Sequence, residues 1–211
     1  MLKRKVENHQ EESFSGLESA RAFAKSAEKS AIRYRAFFSR LKKLDIQGKY
    51  LDVGAGAGNL AARITNSNPD VEITALEISA DMITVGKELV AQKGVEGQIH
   101  FVEGDAVNPE ILKELGQFDL IYSTYALHHW TDPRKVIDNL MSILRPGGVL
   151  YLYDLRRVWW LYWVPNDNGF FKSIRAAYVQ REVEEMLDGL QPGSFEIKNE
   201  FPFMHSIIIR N

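Results

Sequence analysis

Five short β-prone runs separated by helical stretches fill the middle of this 211-residue chain, and that alternation limits its fold more than any other feature. Lys49–Val53, Glu72–Glu77, Ile99–Glu103, Phe118–Ser123 and Val149–Asp154 read as strands. Asn59–Asn66, Ala80–Lys93, Pro109–Leu115 and Asp132–Leu144 read as the helices between them. Asp132 is placed as a cap, and Pro133 takes the first helical position, where its missing N–H costs nothing. Arg145-Pro146-Gly147-Gly148 then reads as a helix stop leading into the fifth strand. Strands joined by helical crossovers lie parallel, so a doubly wound α/β sheet is predicted. The rhythm breaks after residue 155. Residues 155–175 are aromatic and irregular, Ala176–Leu190 reads as a helix, and Phe195–Asn199 and Met204–Arg210 read as strands. The link Glu200–Phe203 is too short for a crossover, so these two form an antiparallel pair. The expected fold is a mostly parallel seven-stranded sheet with an antiparallel C-terminal strand and an N-terminal helical cap.

The cap is read from Leu17, Ala20, Ala24, Ala27, Ala31, Tyr34, Phe38 and Leu41, which alternate steps of three and four along one helical face. Half of these positions are alanine, which favours packing on the body over a coiled coil. Residues 1–15 are polar and read as a frayed end. The length suits a single domain over 1–211, divided into the cap (1–45), a sheet core (46–155) and an aromatic insertion with the β-pair (156–211). Hydrophobic residues make up 45% of the chain, enough for a sizeable core. The total charge of −2 hides an asymmetry, because residues 1–45 hold 11 basic and 6 acidic side chains. Those basic residues are spread out, which fits a solvated helix better than a nucleic-acid surface. No cysteine is present, which excludes disulfides, thiolate metal sites and cysteine nucleophiles. The N-terminus lacks a secretory signal and no stretch is long enough to span a membrane, so a cytoplasmic location is expected.

The first strand runs into Leu51-Asp52-Val53-Gly54-Ala55-Gly56-Ala57-Gly58-Asn59. Alternating glycines at a strand-to-helix turn let backbone approach a ligand closely, and the following helix offers its positive end. Gly56-Ala57-Gly58-Asn59-Leu60-Ala61 also fits the dinucleotide fingerprint, so the glycines alone leave two ligand classes open. Asp52 lies two residues before the first glycine, where a pyrophosphate has no use for a carboxylate but a cationic amino group or sulfonium does. Glu77 ends the second strand, where a carboxylate accepts from ribose hydroxyls in either class. Gly104-Asp105-Ala106 ends the third strand, and its carboxylate suits an adenine amino group.

With LDVGAGAGNLA (51–61), ALEIS (75–79), EGDA (103–106), FDLIYSTYALHHW (118–130) and LRPGGVLYLYDL (144–155), the chain resembles the class I S-adenosylmethionine-dependent methyltransferases of the small-molecule, type 11-like group. The resemblance implies that Asp52, Gly54, Gly56 and Gly58 hold the methionyl part, with Ala55 and Asn59 also in the cofactor site. It places Glu77 on the ribose, Ile78 on the adenine face, Asp105 and Ala106 at the adenine edge, and Ser123 facing the methyl donor. The cap implies a cofactor-carboxylate contact from Arg33 or Tyr34. S-adenosylmethionine is then the cofactor and S-adenosylhomocysteine the product.

Methyl transfer is an in-line displacement that needs placement, exclusion of water and, for a protonated nucleophile, a base. The absence of cysteine argues against the covalent pyrimidine mechanism. Ser123-Thr124-Tyr125-Ala126 also lacks the Asn/Asp-Pro-Pro-aromatic turn that enzymes methylating amide or adenine nitrogens share. His128, His129 and Tyr125 follow the fourth strand and are the candidate bases. His9, His100 and His205 are scattered, so no metal site is expected. Three of the four tryptophans fall in 155–175, where Trp159, Trp160 and Trp163 read as an aromatic lid over substrate. Buried core and an exposed interaction patch are the alternatives. Arg156 or Arg157 would pair with a substrate carboxylate or phosphate. The expected function is methylation of a small, partly apolar or aromatic molecule by a monomer or homodimer with no nucleic-acid partner. An RNA or protein methyltransferase docking through the basic N-terminal helix, and a non-catalytic S-adenosylmethionine-binding protein, are the alternatives.

Overall fold

The central strand β1 (Lys49–Val53) is buried over its last four residues, as a parallel strand covered on both faces must be. The computed structural model that shows this describes residues 2–5, 16–29, 31–191 and 193–211. The expected frayed end over 1–15 falls mostly outside them. Seven strands of the described residues form one sheet in the order β3-β2-β1-β4-β5-β7-β6. The others are β2 (Glu72–Glu77), β3 (Ile99–Glu103), β4 (Phe118–Thr124), β5 (Leu144–Leu155), β6 (Phe195–Glu200) and β7 (Met204–Arg210). β1 to β5 pair in parallel, and β7 runs antiparallel to both β5 and β6.

β5 is longer than expected, because Arg145–Gly148 lies within it rather than before it. Phe118 pairs with Leu144 and Leu120 with Val149, so the four intervening residues bulge out of the ladder. A bulge accommodates Pro146, which has no N–H to donate. Asp119 ties this edge down by accepting from Arg145 Nη1 at 2.6 Å and from the Lys49 N–H at 2.8 Å.

Two apolar layers sandwich the sheet. On one face Tyr50, Tyr122, Tyr151 and Tyr153 form an aromatic layer with the cap, which comprises α1 (Leu17–Lys29), a 3-10 turn (Ala31–Tyr34) and α2 (Arg35–Leu44). Phe37 of α2 is fully buried there and stacks on Tyr151 with centroids 5.0 Å apart. On the other face Leu51, Ile121 and Leu150 pack against α5 (Pro109–Leu115), α6 (Pro133–Ser142) and α9 (Gln180–Met186). Asp132 caps α6 by accepting from the Lys135 N–H at 3.1 Å. The helix expected over 176–190 is shorter because Tyr178 leaves helical geometry to bridge Arg156. The irregular segment before it carries α7 (Trp159–Tyr162) and α8 (Gly169–Ala176). No helix among the described residues is long and apolar enough to cross a membrane.

The glycine turn between β1 and α3 (Asn59–Ser67) is fixed by one aromatic ring. Phe101 of β3 fills the space where a Cβ on Gly58 or on Gly86 of α4 (Ala80–Gln92) would stand, at 2.8 and 2.4 Å from its Cζ. Helix propensity alone makes Gly86→Ala stabilising by about 1 kcal/mol. The wedged ring cannot yield toward Gly58, so overpacking dominates and Gly86→Ala is expected to destabilise by about 1–2 kcal/mol. Adding Phe101→Leu should recover part of that loss in urea unfolding. A Gly86→Ala protein more stable than the parent would contradict this packing.

Candidate functional site

The turn from β1 to α3 holds three glycines at positive φ, +72° at Gly54, +56° at Gly56 and +68° at Gly58, a conformation that L side chains rarely adopt. The Gly54 and Ala55 N–H groups both donate to Leu76 O, at 2.9 and 3.1 Å, which staples the turn to β2. A Cβ at Gly56 would meet nothing within 4 Å, so the backbone there faces open space. Glu77 completes the staple. Its Oε2 accepts from the Gly56 N–H at 2.7 Å, and its Oε1 accepts from the Ile78 and Ser79 N–H groups at 3.0 Å each. The Oε2 atom keeps acceptor capacity beyond that one bond.

Asp52 is the electrostatic anomaly of the turn. It is 2% exposed, and its Oδ2 atom is buried without a hydrogen-bond partner. Burial pushes its carboxyl up to about 7, and the nearby Glu77 adds to the rise. The Tyr122 hydroxyl tempers that rise without closing a hydrogen bond of good geometry. The cap reaches this place too. Burial raises the Tyr34 hydroxyl, and the charge of Asp52 raises it further. Arg33 contributes its backbone carbonyl, which accepts from the Tyr153 hydroxyl at 2.9 Å.

The remaining residues of the expected cofactor set divide. Ile78 is 67% exposed beside Glu77, an apolar surface left open at the strand end. Asp105 is exposed, and its Oδ1 accepts from the Val107 N–H at 2.9 Å; Ala106 is buried beside it. Asn59 donates to Ala24 O at 3.1 Å, so its amide fastens α1 to the glycine turn. Ser123 donates to Val53 O at 2.7 Å and is buried, a strut between β4 and β1.

Beyond β4 the chain turns sharply at Tyr125, a non-glycine residue at φ +57°. Such strain costs about 1–3 kcal/mol and persists only where the surroundings enforce it. Here they are the Tyr125 N–H bond to Tyr153 O at 3.0 Å and edge contacts with Tyr34 and Tyr153. Burial raises the Tyr125 hydroxyl strongly, so it stays protonated. His128 follows in a 3-10 turn (Leu127–His129) and is 1% exposed. Its Nδ1 lies 2.7 Å from Asp154 Oδ1, and its backbone N–H donates to Asp154 Oδ2 at 2.8 Å. Nδ1–H donates to the ionised carboxylate, and the other ring nitrogen, Nε2, is buried without a hydrogen-bond partner. Burial works against ionising Asp154, but His128 more than offsets it and the carboxyl lies below its usual range. His129 packs on His128 with centroids 4.0 Å apart. His205, opposite Asp154 on β7, is pushed down to about 4 by burial and stays neutral.

Asp154 is the site residue that the pattern of residues did not reveal. It ends an apolar strand and its partner lies 26 positions earlier, so no local spacing marks the pair. Arg4 was equally hidden. It donates to Ala176 O at 2.5 Å and to His128 O at 2.8 Å, with its guanidinium 4.1 Å from the Tyr178 ring centroid.

The aromatic insertion is held by Arg175, which donates to Asp167 at 2.6 Å and to the carbonyls of Tyr162, Val164 and Asn166. Trp159 and Trp163 are 73% and 71% exposed and Trp160 is 44% exposed, so these rings are not core. Arg157 is buried, donating to Ala177 O at 2.7 Å and to Glu182 at 2.5 Å. Arg156 shares a cavity with Trp159 and Trp160.

Comparison with known proteins agrees with this layout. Residues 51–150 match the model of a methyltransferase domain. A demethylmenaquinone methyltransferase of Leptospira interrogans is 29% identical over 126 residues, 59% of this chain and 50% of that protein. A Methanococcus maripaludis structure assigned as an S-adenosylmethionine-dependent methyltransferase superimposes with a TM-score of 0.71 at 22% identity, covering 97% of this chain and 96% of that one. The plantazolicin methyltransferase BamL, solved with a triazolic desmethylPZN analog and SAH, gives a TM-score of 0.73 at 18% identity over 92% and 90% of the two chains. At these identities the two structures speak for the fold alone. The chain spans between a quarter and about half the length of the curated relatives it matches. The strand order and the glycine turn stapled to β2 agree with the methyltransferase-domain model that residues 51–150, just under half of the chain, match.

Proposed function

We propose that this chain methylates a small, partly apolar or aromatic molecule and releases S-adenosylhomocysteine. The observation that carries the reading is the unpartnered buried oxygen of Asp52 beside the open backbone of Gly56. An uncompensated acid at that place fits a ligand with a cationic amino group and fits a pyrophosphate badly. In this reading Asp52 receives the amino group, and Gly54, Ala55, Gly56 and Gly58 let the backbone approach. Glu77 receives the ribose through its spare Oε2 capacity, Ile78 covers the adenine, and Asp105 with Ala106 meets the adenine edge. Asn59 and Ser123 act by holding α1 and the strand ends. When bound, S-adenosylmethionine supplies an electrophilic methyl group on a sulfonium.

The chain itself then has to receive a proton if the acceptor carries one. His128 suits that task, because Asp154 fixes its ring and tautomer and Nε2 remains free. Tyr125, kept protonated, and His129, packed against His128, serve as walls. The relatives named for demethylmenaquinone methylation support an acceptor with an apolar ring.

An Asp carboxyl raised to about 7 gives the binding reaction a pH dependence with a definite sign. A cationic ligand favours the carboxylate, so affinity for S-adenosylhomocysteine should climb as pH rises from 5.5 to 7.5, by up to about tenfold per unit below 7. For stability the sign is opposite. A raised folded-state value contributes stability at low pH that is lost as pH rises through about 7. Asp52→Asn should therefore flatten the binding profile, weaken binding at pH 8, and stabilise the unliganded protein there by roughly 1–4 kcal/mol. Calorimetric titration and thermal melts read both; a variant with parental affinity and an unchanged pH profile would sink the assignment. Incubating the protein and labelled methyl donor with a metabolite extract, followed by mass analysis, identifies the acceptor. No labelled product would count against methyl transfer. For an acceptor that carries a proton, His128→Gln should lower kcat by roughly 10²–10⁴-fold without changing S-adenosylhomocysteine affinity. An unaltered kcat would remove His128 from the chemistry.

A further inference from the structure

We infer that the cavity beside the C-terminal end of β5 receives a monoanionic carboxylate on the acceptor molecule, held by Arg156. This rests on the methyl-transfer reading above and names the class of its substrate. The cavity has a volume of about 410 Å³, within the range of small-molecule sites. Leu2, Val158 and Val179 give it apolar walls, and Trp159 and Trp160 add flat aromatic surface.

The cations near this cavity differ in whether they are already engaged. Arg157 is committed to Glu182 and Ala177 O. Arg4 is committed to Ala176 O, His128 O and the Tyr178 ring, and Arg175 to Asp167 and three carbonyls. Arg156 differs. Its backbone N–H is bonded to Phe203 O at 2.7 Å; its buried Nε has no partner, as is also true of Arg157 Nε, but Arg157 has both Nη atoms bonded. Among the described residues no ion pair or hydrogen bond engages the Arg156 guanidinium. A half-buried guanidinium without an acceptor loses solvation with nothing in return, and its planar fork matches a carboxylate. The single positive charge of Arg156 balances one negative charge. A phosphate dianion would leave a charge uncompensated in a partly dry pocket, so the carboxylate is the better occupant.

The place is also right for the acceptor. Arg156 lies two residues beyond Asp154, which grips His128, and this is the same carboxyl edge of the sheet that carries the glycine turn. An acceptor anchored here by its carboxylate would lie with its apolar body among the tryptophans.

The test uses the whole chain loaded with S-adenosylhomocysteine, with cinnamate, its neutral counterpart cinnamamide and phenyl phosphate as probes, followed by tryptophan fluorescence and calorimetry. Cinnamate should bind about tenfold or more tighter than cinnamamide. Arg156→Gln should erase that difference while leaving cinnamamide affinity in place. Arg181→Gln, which removes an exposed arginine paired with Glu185, should preserve it. Equal affinity for cinnamate and cinnamamide, no binding of either, tighter binding of phenyl phosphate, or a preference that survives Arg156→Gln would each overturn the proposal. S-adenosylhomocysteine titrated alone reports separately on the methyl-transfer reading. If it fails to bind while cinnamate keeps its Arg156-dependent preference, the anion site stands and that reading falls.

Discussion

A carboxyl group buried at the end of the central strand without a partner for one oxygen is costly, and the surrounding architecture keeps Asp52 in that state. Parallel pairing on both sides of β1 fixes Asp52 opposite Ala75 and Tyr122. Immediately beyond it, two N–H groups of the glycine turn are bonded to Leu76 O, so the turn cannot fold back to satisfy the acid. Phe101 keeps α3 and α4 close from behind, and Asn59 draws α1 across the turn. In the proposed reading this unpartnered carboxyl is preorganised for a ligand that brings its own cation.

A second layer of organisation lies on the same edge, over β4 and β5. Asp154 grips the His128 ring and backbone together, and Arg4 grips the His128 carbonyl. The Tyr162 hydroxyl donates to Lys3 O and the Lys5 N–H to Arg175 O, so residues 2–5 lie along the aromatic insertion. Arg175 gives that insertion its shape by collecting three carbonyls and a carboxylate around one guanidinium. The exposed tryptophans therefore sit on a braced segment, with Trp160 beside Phe203 and Trp163 beside the buried Tyr162.

Periodicity and turn chemistry made β1 to β4 and β7 readable almost residue by residue, because each is a short β-prone run with a Gly or Pro within three residues of its start. The longer β5 was not readable in this way. Arg145-Pro146-Gly147-Gly148 has the chemistry of a stop, and only its neighbours Asp119 and Asn211 draw it into the sheet as a bulge. The helix expected from Ala176 was shortened by Tyr178, whose bridge to Arg156 is a tertiary contact that outweighs local propensity. Glycines and acids of the turn stood out because their spacing is local. Asp154 and Arg4 did not, since each finds its partner across more than 25 positions. Arg156 and Arg157 looked equivalent as neighbours, and only the bonds of Arg157 to Glu182 and Ala177 O separate the engaged one from the other.

The central claim is that the glycine turn and its acids form a site for S-adenosylmethionine and its product rather than for a dinucleotide. Parallel calorimetric titrations of the unmodified protein with S-adenosylhomocysteine and with NADH at pH 8 test it most directly. The account predicts saturable one-to-one binding of S-adenosylhomocysteine and no measurable binding of NADH. Binding of NADH in preference to S-adenosylhomocysteine would contradict it.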